Sequence, residues 1–165
     1  MAIKQKIMVN LWFDHEAEEA ANFYTSIFQN SGIKRIARFG TEGFEHHGKT
    51  AGSVMTVEFA LDGQTFVGLN GGPYFKFNEA VSMIVHCDTQ EEVDYFWDKL
   101  SAGGDPRAQQ CGWLKDKFGV SWQIIPERLV ELVSSNDTEK ANRTTRAMLQ
   151  MKKIDINELE KAYQG

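Results

Sequence analysis

With 165 residues, 42% of them hydrophobic and 25% charged, the chain has the size of one ordinary domain or two small fused modules and the balance of a globular protein. Its net charge of -5, with no cluster of four or more basic residues, argues against a nucleic-acid or anionic-membrane surface, which needs grouped Lys and Arg. Cys87 and Cys111 make no secreted disulfide framework, and no apolar run approaches the roughly 20 residues of a membrane helix. Ala2 to Lys6 reads as the lead into a short strand, not as a signal peptide, so the cytoplasm is the expected compartment.

Residues 7–13, IMVNLWF, read as a buried strand with one polar member, Asn10. The following DHEAEEAANFY is helical, with acidic residues at the positive end of its dipole and Ala20, Phe23, Tyr24, Ile27 and Phe28 on one apolar face. A second strand covers Ile33 to Phe39. Residues 40–52, GTEGFEHHGKTAG, form a polar, glycine-rich loop with the composition of a mobile segment. SVMTVEFAL and QTFVGLN are two strands joined at Asp62-Gly63, a strong hairpin signal.

After Gly71-Gly72-Pro73 a similar order begins again. AVSMIVHC (residues 80–87) is a strand, and residues 88–100 are a helix capped by Asp88 or Thr89. Cys111 to Pro126, CGWLKDKFGVSWQIIP, is a strand, a turn and a returning strand. LWFDHEAEEA matches VHCDTQEEVD, and FALDGQTF matches LKDKFGVSW. The reading is α+β: two copies of a βαβββ module, residues 1–73 and 74–126, the second with a short or irregular second strand near 107–110. Residues 127–165 are a helical extension, with caps at Asn136 or Asp137 and at Asp155. Ala141, Thr145, Met148 and Lys152 form one stripe of its middle helix, a surface suited to packing or to a subunit contact.

Taken together, the doubled order, DHEAEEAANFYTSIF, SVMTVEFALDGQTFVGLNGGP, TQEEVDYFW, CGWLKDKFGVSWQIIP and the tail AMLQMKKIDINELEKAY resemble the PhnB-like branch of the vicinal-oxygen-chelate (glyoxalase/bleomycin-resistance/dioxygenase) superfamily. That resemblance implies paired modules whose mixed sheets curl around a cavity, and commonly a homodimer. Members of the branch often carry a demethylubiquinone methyltransferase label. A nucleotide-type methyltransferase needs a glycine-rich turn between a strand and a helix. Here Gly40-Thr41-Glu42-Gly43 lies in a loop leading to a hairpin, and Leu69 to Pro73 leads to no clear helix, so methyl transfer is not expected.

Metal-dependent relatives hold a divalent ion with His and Glu on inner strands, two from each module. The resemblance puts the closing Glu four residues after the hairpin glycine, where this chain has Gln123. The same count from Gly63 reaches Val67, and the first strand offers Asn10 in place of His. No metal and no other cofactor is therefore expected. His86 reads as a structural histidine at a strand end, and His46 and His47 as surface-loop residues. Cys111 reads as a buried, inert thiol.

Glu58 shares a strand face with Thr56 and Ala60. If that face lines the cavity, burial would suit its carboxylate to general-base work. Trp122, on a face with Val120 and Ile124, belongs to the core; Trp12 and Trp113 are assigned to the cavity wall. The expected function is binding of a small organic molecule by Asn10, Trp12, Glu58, Ser82, Trp113 and Gln123, in a metal-free homodimer. The alternatives are a metal-dependent lyase or dioxygenase of the same superfamily, an acid–base enzyme using Glu58, and a structural or interaction protein whose cavity is filled by side chains.

Overall fold

The computed structural model describes residues 5–165, so Ala2 to Lys4 of the lead-in segment lie outside the described residues. Two compact units divide the chain, one ending at Phe77 and the other beginning at Asn78. The architecture is α+β, with one mixed sheet in each unit and helices at the C-terminal end.

In the first unit, β1 (Val9–Phe13), α1 (Ala17–Ile27), β2 (Gly32–Arg38), α2 (Phe44–His47), β3 (Val54–Leu61) and β4 (Gln64–Asn70) follow one another. The four strands lie in the order β1-β4-β3-β2, with β1 parallel to β4 and the other pairs antiparallel. The β3–β4 hairpin turns at Asp62 and Gly63, both with positive φ (46° and 76°), the pairing a two-residue turn of this hand requires. Leu11, Phe13, Val57, Phe59 and Leu61 are buried on the face that carries α1, against Ala17, Ala20, Ala21, Tyr24 and Ile27. Each large apolar side chain withdrawn there contributes roughly 1.5–3 kcal/mol. Glu16 gives α1 no side-chain cap. Asn70 replaces it from the end of β4: its Oδ1 accepts from the Ala17 N–H at 2.8 Å, while its Nδ2 donates to the Val54 carbonyl at 3.1 Å.

In the second unit, β5 (Ser82–Cys87), α3 (Gln90–Ser101), β6 (Trp113–Lys115) and β7 (Ser121–Pro126) build a three-stranded sheet in the order β5-β7-β6, with β5 parallel to β7. Thr89 is the cap of α3, its hydroxyl accepting from the Glu92 N–H. Where a complete repeat would have its second strand, Pro106–Ala108 forms a 3₁₀ turn, and Gln110 makes an isolated bridge to Trp113. Pro106 has no N–H to give a ladder, and Asp105 caps the turn by accepting from the Arg107 N–H. The β6–β7 hairpin is fastened by Asp116, 2% exposed, whose carboxylate accepts from the Phe118 and Val120 N–H groups and from the Trp122 indole N–H at 2.8 Å.

The tail forms α4 (Glu127–Val133), α5 (Thr138–Met148) and α6 (Ile156–Gln164), with Asp137 and Asp155 as caps. Leu129, Leu132, Ile154 and Leu159 make its core.

Four sequence readings need correction. The first strand begins at Val9 and is not buried throughout, because β1 is a sheet edge; Ile7 is 86% exposed. The first long helix begins at Ala17, where Asn70 supplies the cap. The 40–52 loop contains the single helical turn α2. The middle tail helix ends at Met148, so Lys152 does not share its stripe: the carbonyls of Met151 and Lys152 leave the helix to accept from the Cys111 and Gly112 N–H groups, both at 2.8 Å.

Candidate functional site

Each sheet has one face covered by its helix and one free of it. On the first sheet the register places Asn10, Val67, Glu58 and Arg35 in one row across all four strands. The next row holds Trp12, Leu69, Thr56 and Ala37. Residues directly opposite across a ladder share a face, and alternate residues of β3 and β1 point into the core, so both rows lie on the helix-free side. The structure thus brings Asn10, Trp12 and Glu58 together on one surface. Sequence reasoning missed Arg35, whose Nη2 donates to Glu58 Oε2 at 2.5 Å. Only the strand register reveals that pair.

Trp12 is a fixed wall. Its indole lies so close to Gly71 that a Cβ there would come within 2.2 Å of the ring. Its N–H donates to the Gly72 carbonyl at 2.9 Å, and Phe75 meets the ring edge-on at 4.9 Å.

On the second sheet, Ser82, Ser121 and Lys115 form one cross-strand row, and Ile84, Gln123 and Trp113 form the next. Trp122 and Ile124 point the other way and are 2% and 0% exposed, as their core assignment requires. Gln123 Nε2 donates to Ser82 Oγ at 2.8 Å, so the amide singled out in the sequence is tied to another candidate residue. Ser121 is 2% exposed, and its Oγ has no hydrogen-bond partner. Lys115 donates to the Glu79 carboxylate at 2.6 Å, and this hydrogen bond holds the Glu79 carboxyl below its usual range. The alternation of β7 showed in the sequence that Ser121 shares the Gln123 face; its burial did not show.

His86 is exposed and faces Glu127 across 3.5 Å. His47 Nδ1 accepts from the Lys49 N–H, which leaves Nε2 to donate to the Glu42 carbonyl, so both nitrogens hold the 40–52 loop together. Cys111 is half-buried rather than buried, in a left-handed conformation (φ 51°), with Gln110 Nε2 3.4 Å from its sulfur. Cys87 is the buried thiol, and desolvation, aided by Glu92 and Asp88, pushes it up to about 12.

These donors do not fit a divalent ion. Asn10 and Gln123 offer only neutral amide oxygens, weak ligands beside a carboxylate or imidazole, and Val67 offers no donor. Among the described residues no three His, Cys, Asp or Glu converge.

The family model described as 3-demethylubiquinone-9 3-methyltransferase matches residues 5–125. The PhnB protein from Bacillus cereus is 39% identical, over 74% of this chain and 99% of its own, with a TM-score of 0.62. This chain belongs to the PhnB-like family. Protein PA1353 from Pseudomonas aeruginosa shares the fold at 17% identity, covering 74% of this chain and 98% of its own, with a TM-score of 0.55. No curated protein matches this PhnB-like chain.

Proposed function

We propose that this PhnB-like protein binds a small organic molecule without a resident metal. In each unit the helix-free face of the sheet serves as a binding wall. One observation carries the reading: at the position where metal-dependent relatives close their site with a carboxylate, Gln123 is bonded to Ser82 beside Trp113. An amide, a hydroxyl and an aromatic wall recognise an organic ligand by hydrogen bonding and apolar contact. Asn10, Trp12 and Glu58 offer the same mixture on the first sheet. The working state is a homodimer in the cytoplasm, which light scattering of the purified protein tests.

Methyl transfer, which the family description would bring, finds no support in the connections. The strands that lead into α1 and α3 do so through Asp14-His15-Glu16 and Asp88-Thr89, neither of which contains the glycine a nucleotide cradle needs. An acid–base enzyme is the second reading, favoured by the Glu58 carboxylate on the open face.

The deciding measurement is metal content of protein purified without chelator, joined to a thermal-shift series over divalent ions and small organic molecules. A ligand of the native state raises the melting temperature through RT ln(1 + [L]/Kd). Organic molecules that shift it, with no metal and no ion effect, support binding. Stoichiometric metal with a clear ion-dependent shift would overturn the metal-free reading.

A further inference from the structure

The row Ser82, Ser121 and Lys115 holds more hydrogen-bonding capacity than the fold uses. Ser121 sits in the central strand, its hydroxyl buried and unpartnered. A hydroxyl in that state loses water and gains nothing in return, which costs stability. Ser82 Oγ accepts from Gln123, and its own hydrogen has no acceptor among the described residues. Lys115, with 26% of its side chain exposed, pairs with Glu79 and also lies near Asp105, whose own ion-pair partner is Arg107. Glu79 is 61% exposed and comes from the irregular segment before β5, so it can leave its partner with little disturbance.

We infer that this row is the carboxylate subsite of the ligand-binding face, and that Glu79 occupies the place of the ligand's carboxylate when none is bound. The inference rests on the binding reading above and names its ligand class: a small organic monocarboxylate with an apolar body. The ligand carboxylate displaces Glu79 from the Lys115 ammonium and accepts the Ser121 and Ser82 hydroxyl hydrogens. Exchanging one single negative charge for another keeps the row neutral. A phosphate dianion would leave excess negative charge on a chain already at -5. The neighbouring row supplies the apolar surface, since Ile84, 52% exposed, and the half-buried Trp113 flank Gln123 on its two sides.

The test titrates benzoate and hexanoate, with benzamide and hexanamide as neutral counterparts, into wild-type protein and the Glu79→Gln, Lys115→Met and Ser121→Ala variants. The acids bind wild type at least tenfold tighter than the amides. Glu79→Gln tightens the acids about tenfold by removing the internal competitor, and Lys115→Met weakens them by at least as much. Ser121→Ala weakens the acids while raising the melting temperature of the free protein, because a wasted hydroxyl has gone. Equal binding of acids and amides, or acid binding indifferent to Glu79→Gln, overturns the subsite and leaves the binding reading standing. A lower melting temperature for Ser121→Ala also overturns it, since the hydroxyl would then serve the fold. Failure of all four compounds, together with a small-molecule panel giving no saturable binding, removes both inferences.

Discussion

Asp116 and Glu58 are both carboxylates on strands or their turns, yet their surroundings set opposite consequences for losing them. Asp116 is buried and gathers two backbone N–H groups and the Trp122 indole N–H of its own hairpin. Asp116→Ala strands those donors, and urea unfolding should show a loss of about 2–4 kcal/mol. Glu58 faces Arg35, whose side chain is 77% exposed, so Glu58→Gln should cost less than about 1 kcal/mol. That mildness makes Glu58→Gln a clean probe: an unchanged rate in any activity found would remove the acid–base reading. The sequence shows Glu58 as a lone charge among apolar neighbours, but its partner is 23 residues away and is set by the β2–β3 register. Asp116 reads there only as a turn residue, because its third donor lies beyond the turn.

Elements with a local signal are legible in the chain. Asp62-Gly63 announces its hairpin, and Thr89, Asp137 and Asp155 announce the helices they cap. Elements settled by distant partners are not. The start of α1 depends on Asn70, 53 residues away, and the end of α5 depends on amides at Cys111 and Gly112. Gln90 is a further long-range fastener: its Nε2 donates to the Ile154 carbonyl at 3.0 Å, and its Oε1 accepts from the Ile156 N–H at 2.9 Å. Gln90→Ala should therefore release the turn before α6. Hydrogen exchange should quicken at Ile156 and at Cys111 and Gly112, while β5–β7 stays protected.

For the whole molecule, the shifted groups define a stability window. Asp105 is held down to about 2 by the Arg107 side chain, and Asp94 and Glu160 are held below their usual range by hydrogen bonds from Lys153 and Arg128. A depressed carboxyl stabilises above its unfolded pKa, and that contribution is lost as pH falls through the folded value. These pairs are partly exposed to solvent, so salt should weaken the acid limb. Cys87 sets the alkaline side: its folded value of about 12 lies above the ordinary 9.0. Its contribution is full below pH 9 and lost as pH rises toward 12. In urea titrations across that range, Cys87→Ala should show a shallower decline than wild type; an identical slope would assign the decline to other groups.

The hydrogen bonds from Cys111 and Gly112 to Met151 and Lys152 also bear on how the chain is made. Translation proceeds from the N-terminus, so the hairpin amides emerge about forty residues before the carbonyls that receive them. During that interval water is their partner. A nascent chain paused before Met151 should therefore carry a second unit whose β6 entry is open to protease, and adding Met151, Lys152 and the last helix should close it.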